Sequence, residues 1–138
     1  MLTWSHVQQR LEQARYFWLA TVRPDGRPHV TPLWGVWLDS ALFFDGPPFT
    51  RWARNLAAQP SVSVHLDDGN DVVILEGTVE DLTVDAELGN RIISAWSAKY
   101  GALQPDPSGG GILRVRPRSV RAWSTEGLTD GARWIFPR

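Results

Sequence analysis

The spacing of hydrophobic and polar residues changes several times along the chain, and each change indicates a different element. Apolar side chains recur at spacings of three and four over residues 3–14, which predicts an amphipathic helix. Residues 16–22 are rich in aromatic and β-branched side chains, which favour a strand. Residues 24–26 (PDG) supply a turn, and residues 28–37 form the returning strand. The pattern therefore predicts a helix followed by a β-hairpin.

The rest of the chain combines short strands with two further helices. Thr50 is a favourable N-cap and Pro60 ends the next pattern, so residues 50–58 predict a short helix. Residues 85–100 predict a longer one. Further strands are predicted over residues 41–44, 61–66, 71–82, 112–116, 119–124 and 133–136. The predicted elements do not follow a repeating strand–helix–strand order. The chain is therefore predicted to be mainly β and to form a single domain over residues 1–138. Its fold would be a six- to seven-stranded antiparallel barrel with flanking helices.

Composition and charge narrow the chemistry. The chain has 138 residues and a net charge of -1, which gives no general attraction to nucleic acid or to an anionic membrane. It has no cysteine, and its three histidines lack metal-ligand spacing, so no metal site is predicted. Neither a signal peptide nor an apolar run of about 18 residues is present. We therefore expect a cytoplasmic protein that does not enter the membrane.

The predicted helix at residues 50–58 holds the clearest candidate binding residues. A helix N-terminus attracts anions because its first N–H groups are unpaired. Arg51 and Arg54 add donors suited to phosphate, and Trp52 between them presents a flat ring. Considered alone, the same residues also suit an ordinary surface helix.

Two other segments permit two interpretations each. Pro32 and Gly35 interrupt the strand predicted within residues 30–37. In one interpretation they free backbone groups that bond the polar edge of a ligand ring. In the other they mark an edge strand with a bulge. Arg114, Arg116 and Arg118 resemble a basic patch, but their alternation is typical of a solvated strand face.

Residues 101–111, rich in proline and glycine, predict a loop and a candidate lid.

The chain carries no recognisable set of catalytic residues. It shows no Ser/His/Asp order, no paired catalytic carboxylates and no glycine-rich phosphate loop. We therefore predict no catalytic side chain, and we expect a bound cofactor to supply the chemistry while the protein positions it.

Three segments, in this order, carry a resemblance to a known family: residues 17–28 (FWLATVRPDGRP), 54–64 (RNLAAQPSVSV) and 76–80 (EGTVE). They resemble the pyridoxamine-5′-phosphate-oxidase-like split β-barrel proteins over roughly residues 5–125. The ending at residues 122–123 and 133–136 is similar to that of the small flavin and deazaflavin oxidoreductases of this family.

The resemblance implies a homodimer with two cofactor sites at its interface. It implies FMN or coenzyme F-420 as cofactor, with hydride transfer between its ring and a small organic substrate. By position it also implies three groups of binding residues. Those along the ring are Thr31, Pro32, Leu33 and Trp34. Those around the phosphate are Thr50, Arg51, Trp52, Arg54 and Asn55, and Trp134 would close the site from the second chain.

This chain departs from the family at two positions. Many relatives have a lysine where this chain has Trp52, and Asp45 adds a carboxylate near the expected phosphate. The alternative function is a non-enzymatic binder or carrier of a flavin, haem or another tetrapyrrole on the same barrel. A purely structural dimerisation module is the third hypothesis.

Overall fold

The fold is described from a computed structural model, which describes residues 2–102, 104–106, 111–125 and 127–137. Part of the predicted loop at residues 101–111 therefore lies outside the described residues. In chain order the elements are α1 (Trp4–Gln13), β1 (Phe17–Val22), β2 (Pro28–Leu33), β3 (Val36–Leu38), β4 (Ala41–Asp45), α2 (Arg51–Ala58), β5 (Ser61–His65), β6 (Asp71–Leu82), α3 (Ala86–Tyr100), β7 (Ile112–Ser124) and β8 (Gly127–Ile135).

The strands form one antiparallel sheet that curls into a split barrel. The strand order is β2-β1-β5-β6-β7-β4-β3, and β8 pairs with β7 outside this path. The long strand β7 pairs with β6 along most of its length, with β4 near its start and with β8 towards its end. The prediction of a mainly β, antiparallel split barrel is confirmed, and β2 is an edge strand. The described residues contain eight strands, so the predicted number of six to seven was too low.

Two strand boundaries differ from the prediction. The strand expected over 28–37 is divided at Gly35, whose N–H bonds the Tyr100 hydroxyl at 3.0 Å and whose carbonyl accepts from Lys99 at 2.9 Å. The two strands expected around Pro117 are one strand, β7. Pro117 lies opposite Gly77, where the pairing of β6 and β7 changes register, and such an irregularity tolerates a residue without an N–H.

Side chains from alternate strand positions fill two separate cores. On the inner face of the sheet, Leu19, Val64, Leu75 and Val115 join the buried side of α1. On the outer face, α3 covers β3 and β4 through a cluster that includes Phe43, Ile92 and Trp96. On the outer face of β1 and β2, Val22 and Val30 are exposed.

The helices begin at polar caps, as the sequence predicts. Thr3, Thr50 and Asp85 each accept a hydrogen bond from an N–H in the first turn of their helix. The longest helix, α3, has 15 residues and ends at Gly101 in the left-handed conformation (φ 73°). No helix in the described ranges is both long and apolar enough to cross a membrane.

Candidate functional site

The start of α2 presents donors that the described part of the chain does not use. Thr50 fixes the turn before the helix, because its N–H and its hydroxyl both donate to the Pro47 carbonyl, at 3.2 and 3.0 Å. The Thr50 hydroxyl also accepts from the N–H of Ala53 at 3.3 Å. The N–H groups of Arg51 and Trp52 have no hydrogen-bond partner within the described residues. They are therefore open to an anion.

Asn55 attaches α2 to the hairpin. Its side chain is fully buried and donates from Nδ2 to the Thr21 hydroxyl of β1 at 3.0 Å. Its Oδ1 accepts from the Arg51 guanidinium at 3.4 Å, which holds Arg51 on the side of α2 that faces β1 and β2. Asn55 stays a predicted phosphate contact, and within the chain its side chain bonds both Thr21 and Arg51.

The ring of Trp52 belongs to the core. Only 6% of this residue is exposed, and its ring lies 5.5 Å from that of Phe44. It rests on Gly46, where an added Cβ would lie 2.2 Å from Trp52 Cζ2. The ring of Trp52 thus supports the turn beneath it, and Trp52 stays a predicted phosphate contact.

Arg54 follows Arg51 by three residues on α2, so the two lie on neighbouring parts of the helix surface. Its exposed side chain lines a cavity of about 630 Å³ between α2 and the ends of β6 and β7. The same cavity is lined by Asp81 and by the apolar side chains of Leu56, Ala57, Val79 and Leu113. Arg54 thus lines this cavity, whereas the guanidinium of Arg51 bonds Asn55.

The four residues predicted along the cofactor ring lie in different parts of the fold. Thr31 and Leu33 are opposite the buried residues Leu19 and Phe17, so they lie on the inner face of β2, next to α2. Pro32 is opposite Trp18 and lies on the outer face. Trp34 is stacked on Tyr100 of α3 with ring centroids 4.3 Å apart.

The corner that holds Trp34 is stabilised by the end of α3. Lys99, the only lysine of the chain, donates to the carbonyls of Ala14 and Gly35 at 2.7 and 2.9 Å. Burial and the nearby Arg15 guanidinium lower the pKa of Lys99 to about 8. Trp34 is thereby tied to α3, and of the predicted ring contacts only Thr31 and Leu33 share the inner face of β2.

Trp134 and Asp45 also have defined surroundings. Trp134 is half-buried and lies 5.3 Å from the Trp4 ring of its own chain. Burial raises the pKa of Asp45. Because side chains alternate along β4, Asp45 shares the face of Phe43 on the α3 side, while Phe44 faces Trp52. The Asp45 carboxylate is therefore directed away from the start of α2.

Two residues near this site were missed in the sequence. Arg23 and His29 lie at the end of the β1–β2 hairpin, beside Thr21, and each has a buried ring or guanidinium nitrogen without a partner in the described ranges. The signal was available. Alternation from the apolar Phe17 and Leu19 places Thr21 and Arg23 on the same inner face.

Comparisons with known proteins agree with the split barrel. The pyridoxamine 5'-phosphate oxidase family model matches residues 3–124, so the chain belongs to this family. A comparison with curated proteins gives no match.

Three similar solved structures differ in what their names say they bind. An F-420 reductase is 28% identical, with 82% of this chain and 94% of that chain covered and a TM-score of 0.65. A FAD-binding protein from Mesorhizobium loti is 22% identical, with coverage of 86% and 92% and a TM-score of 0.68. The haem storage protein HutZ from Vibrio cholerae is 19% identical, with coverage of 98% and 95% and a TM-score of 0.67.

Proposed function

We propose that the protein is an oxidoreductase that transfers a hydride between a bound flavin-type cofactor, FMN or coenzyme F-420, and a small organic substrate. The observation that carries this proposal is the position of α2 beside the inner face of the edge strand β2. In this arrangement the start of α2, with donors suited to a phosphate, lies beside the partly buried Thr31 and Leu33 of β2, which supports the proposal. The similarity to an F-420 reductase supports the same function.

The donor set fits a phosphate-bearing cofactor. The open N–H groups of Arg51 and Trp52, together with the Arg51 guanidinium, would hold the phosphate, while Thr50 and Asn55 keep them in place. Thr31 and Leu33 would flank the ring from β2. The cofactor, when bound, supplies the hydride chemistry, and the chain contributes orientation and exclusion of water. Arg54 stays a predicted phosphate contact, which Arg54→Ala tests by a tenfold or larger loss of cofactor affinity.

We also propose a homodimer, formed through the outer face of the hairpin. Trp18, Ala20 and Val22 of β1 lie opposite Pro32, Val30 and Pro28 of β2, which makes a continuous apolar surface. Val30 is 54% exposed and Val22 is 38% exposed. We propose that a second copy of the chain covers this surface, because exposed apolar patches of this kind are typical of interfaces. The closing role of Trp134 from that copy and the cytoplasmic location stay predictions.

The deciding experiment is a titration of the purified protein with FMN, with coenzyme F-420 and with haem, followed by absorbance and fluorescence. We expect a micromolar Kd for one of the two flavin-type cofactors and turnover when the reduced cofactor meets an acceptor. Arg51→Gln should weaken binding tenfold or more. Arg91→Gln is the matched control, since Arg91 is exposed on α3 and paired with Asp39 at 2.7 Å.

Two results would contradict the proposal. No binding of either flavin-type cofactor at about 100 μM would leave only about 5 kcal/mol of binding free energy and would exclude a resident cofactor. Tight binding of haem with no flavin binding would instead support the carrier function. The oligomeric state is tested separately by light scattering, where the wild type should be a dimer and Val30→Glu a monomer.

A further inference from the structure

The end of the β1–β2 hairpin brings two nitrogen-bearing side chains together on the inner face of the sheet. Thr21 is opposite His29 in the strand pairing, and the Arg23 N–H donates to the Arg27 carbonyl at 2.9 Å. Arg23 and His29 are therefore diagonal neighbours across the hairpin, a relation in which long side chains reach one another.

Both side chains contain a buried polar atom that lacks a partner. The Nε of Arg23 and the Nδ1 of His29 are buried, and no residue that the structure describes forms a hydrogen bond with either. Buried polar groups without partners are uncommon, because the lost contact with water is not compensated. A guanidinium only donates hydrogen bonds, so the partner missing from Arg23 is an acceptor.

A third nitrogen-bearing side chain is attached to the same hairpin from α2. Asn55 bonds Thr21, and Arg51 bonds Asn55, so the Arg51 guanidinium is held on the hairpin side of α2. No carboxylate of the described residues forms an ion pair with Arg23, His29 or Arg51.

The acid nearest in sequence is already engaged. The Asp25 carboxylate in the hairpin turn accepts a hydrogen bond from Arg27 at 2.8 Å. The hydrogen bonds from Arg27 lower the pKa of Asp25 more than the charge of Arg23 does. The Asp25 carboxylate therefore does not supply the acceptor that Arg23 Nε lacks.

We propose that Arg23, His29 and Arg51 form an anion-binding site that takes the phosphate group of the cofactor. The hairpin thus supplies the positive charge that relatives place at the position of Trp52. The identity of the ligand rests on the proposed function. The site itself does not, because inorganic phosphate is a sufficient probe of these three nitrogen-bearing side chains.

The first test follows the histidine ring signals by NMR while inorganic phosphate is added to the full chain. One histidine signal should shift with phosphate, and the shifting signal should be absent in His29→Asn. Arg23→Gln should raise the phosphate Kd tenfold or more. Arg91→Gln is the control, because Arg91 on α3 is 44% exposed at its side chain and paired with Asp39, and this variant should leave the Kd within twofold.

The second test compares FMN with riboflavin, which lacks the phosphate. Arg23→Gln and His29→Asn should each lower FMN affinity about tenfold and leave riboflavin affinity within twofold. Equal losses for both ligands would show a structural role and overturn the proposal. So would the absence of any histidine shift at about 50 mM phosphate, whether or not a flavin binds. Phosphate binding at His29 without flavin binding would overturn only the proposed function.

Discussion

Gly46 packs closely against the ring of Trp52 in α2, and Gly46→Ala perturbs this contact directly. The added Cβ would lie 2.2 Å from Cζ2 and 2.6 Å from Cη2 of the Trp52 ring. Ordinary carbon–carbon contacts are about 3.5–4.0 Å, so the ring would have to move by about 1.3 Å or more. Because the ring is 6% exposed and packs on Phe44, it has no free space to enter.

Whether Gly46→Ala raises or lowers the free energy of unfolding depends on which of two contributions is larger. Gly46 does not have a positive φ, so its backbone accepts alanine. Without the clash, the substitution would stabilise the fold by about 0.4–1 kcal/mol, because it restricts the unfolded chain. Overpacking a well-filled core costs about 1–3 kcal/mol, so we expect a net loss of about 1–2 kcal/mol.

The assay is a double-mutant cycle measured by urea unfolding and far-UV circular dichroism. Trp52→Leu removes the two clashing ring atoms and is expected to cost about 3 kcal/mol by itself. In that background Gly46→Ala should become neutral or stabilising, which gives a coupling of at least about 1 kcal/mol. Additive free energies in the cycle, or a stabilised Gly46→Ala in the wild-type background, would refute the packing argument.

Three further predictions concern stability. Asn55→Ala leaves the buried Thr21 hydroxyl unpaired, so the free energy of unfolding measured in urea should fall by about 1–3 kcal/mol. An unchanged free energy of unfolding would contradict a stabilising Asn55–Thr21 hydrogen bond. Gly77→Ala would place a Cβ 2.3 Å from the Arg116 carbonyl oxygen, a backbone atom, so we expect a loss of about 3 kcal/mol or more; an unchanged Tm would disprove it.

The third of these concerns pH. Because the pKa of Lys99 falls from 10.5 to about 8 on folding, the unfolded chain binds more protons between these values, and stability should rise with pH across that window. After allowance for solvent screening, the rise is on the order of 1–2 kcal/mol. It should be absent in Lys99→Met, and an identical pH profile in both proteins would show that Lys99 does not cause it.

The local sequence pattern was sufficient to predict most of the helices and strands. The period of the apolar positions located α1, α2 and α3 to within a few residues, because a helix must bury one stripe and begins at a cap such as Thr50 or Asp85. The PDG turn at residues 24–26 likewise located the hairpin. The resemblance in three segments then indicated the family, which the match over residues 3–124 confirms.

Pairing between distant strands decided what local pattern left open. Pro117 interrupts a local strand pattern, but its partner Gly77 lies forty residues earlier and accommodates it, so β7 is continuous. The family resemblance implies, by position, that Trp34 lies along the cofactor ring. Its stacking partner, Tyr100, is provided by α3, and only packing brings the two together.

By itself, the sequence determined a mainly β family member with candidate phosphate donors near residue 51, because period, caps and turns are properties of neighbouring residues. The tertiary structure decided which of those donors are available. It buried Trp52 against Phe44 and Gly46, turned Asn55 towards Thr21, and left the nitrogens of Arg23 and His29 without partners among the described residues. The physical reason is that burial depends on what packs against a side chain, and those partners come from other strands and helices.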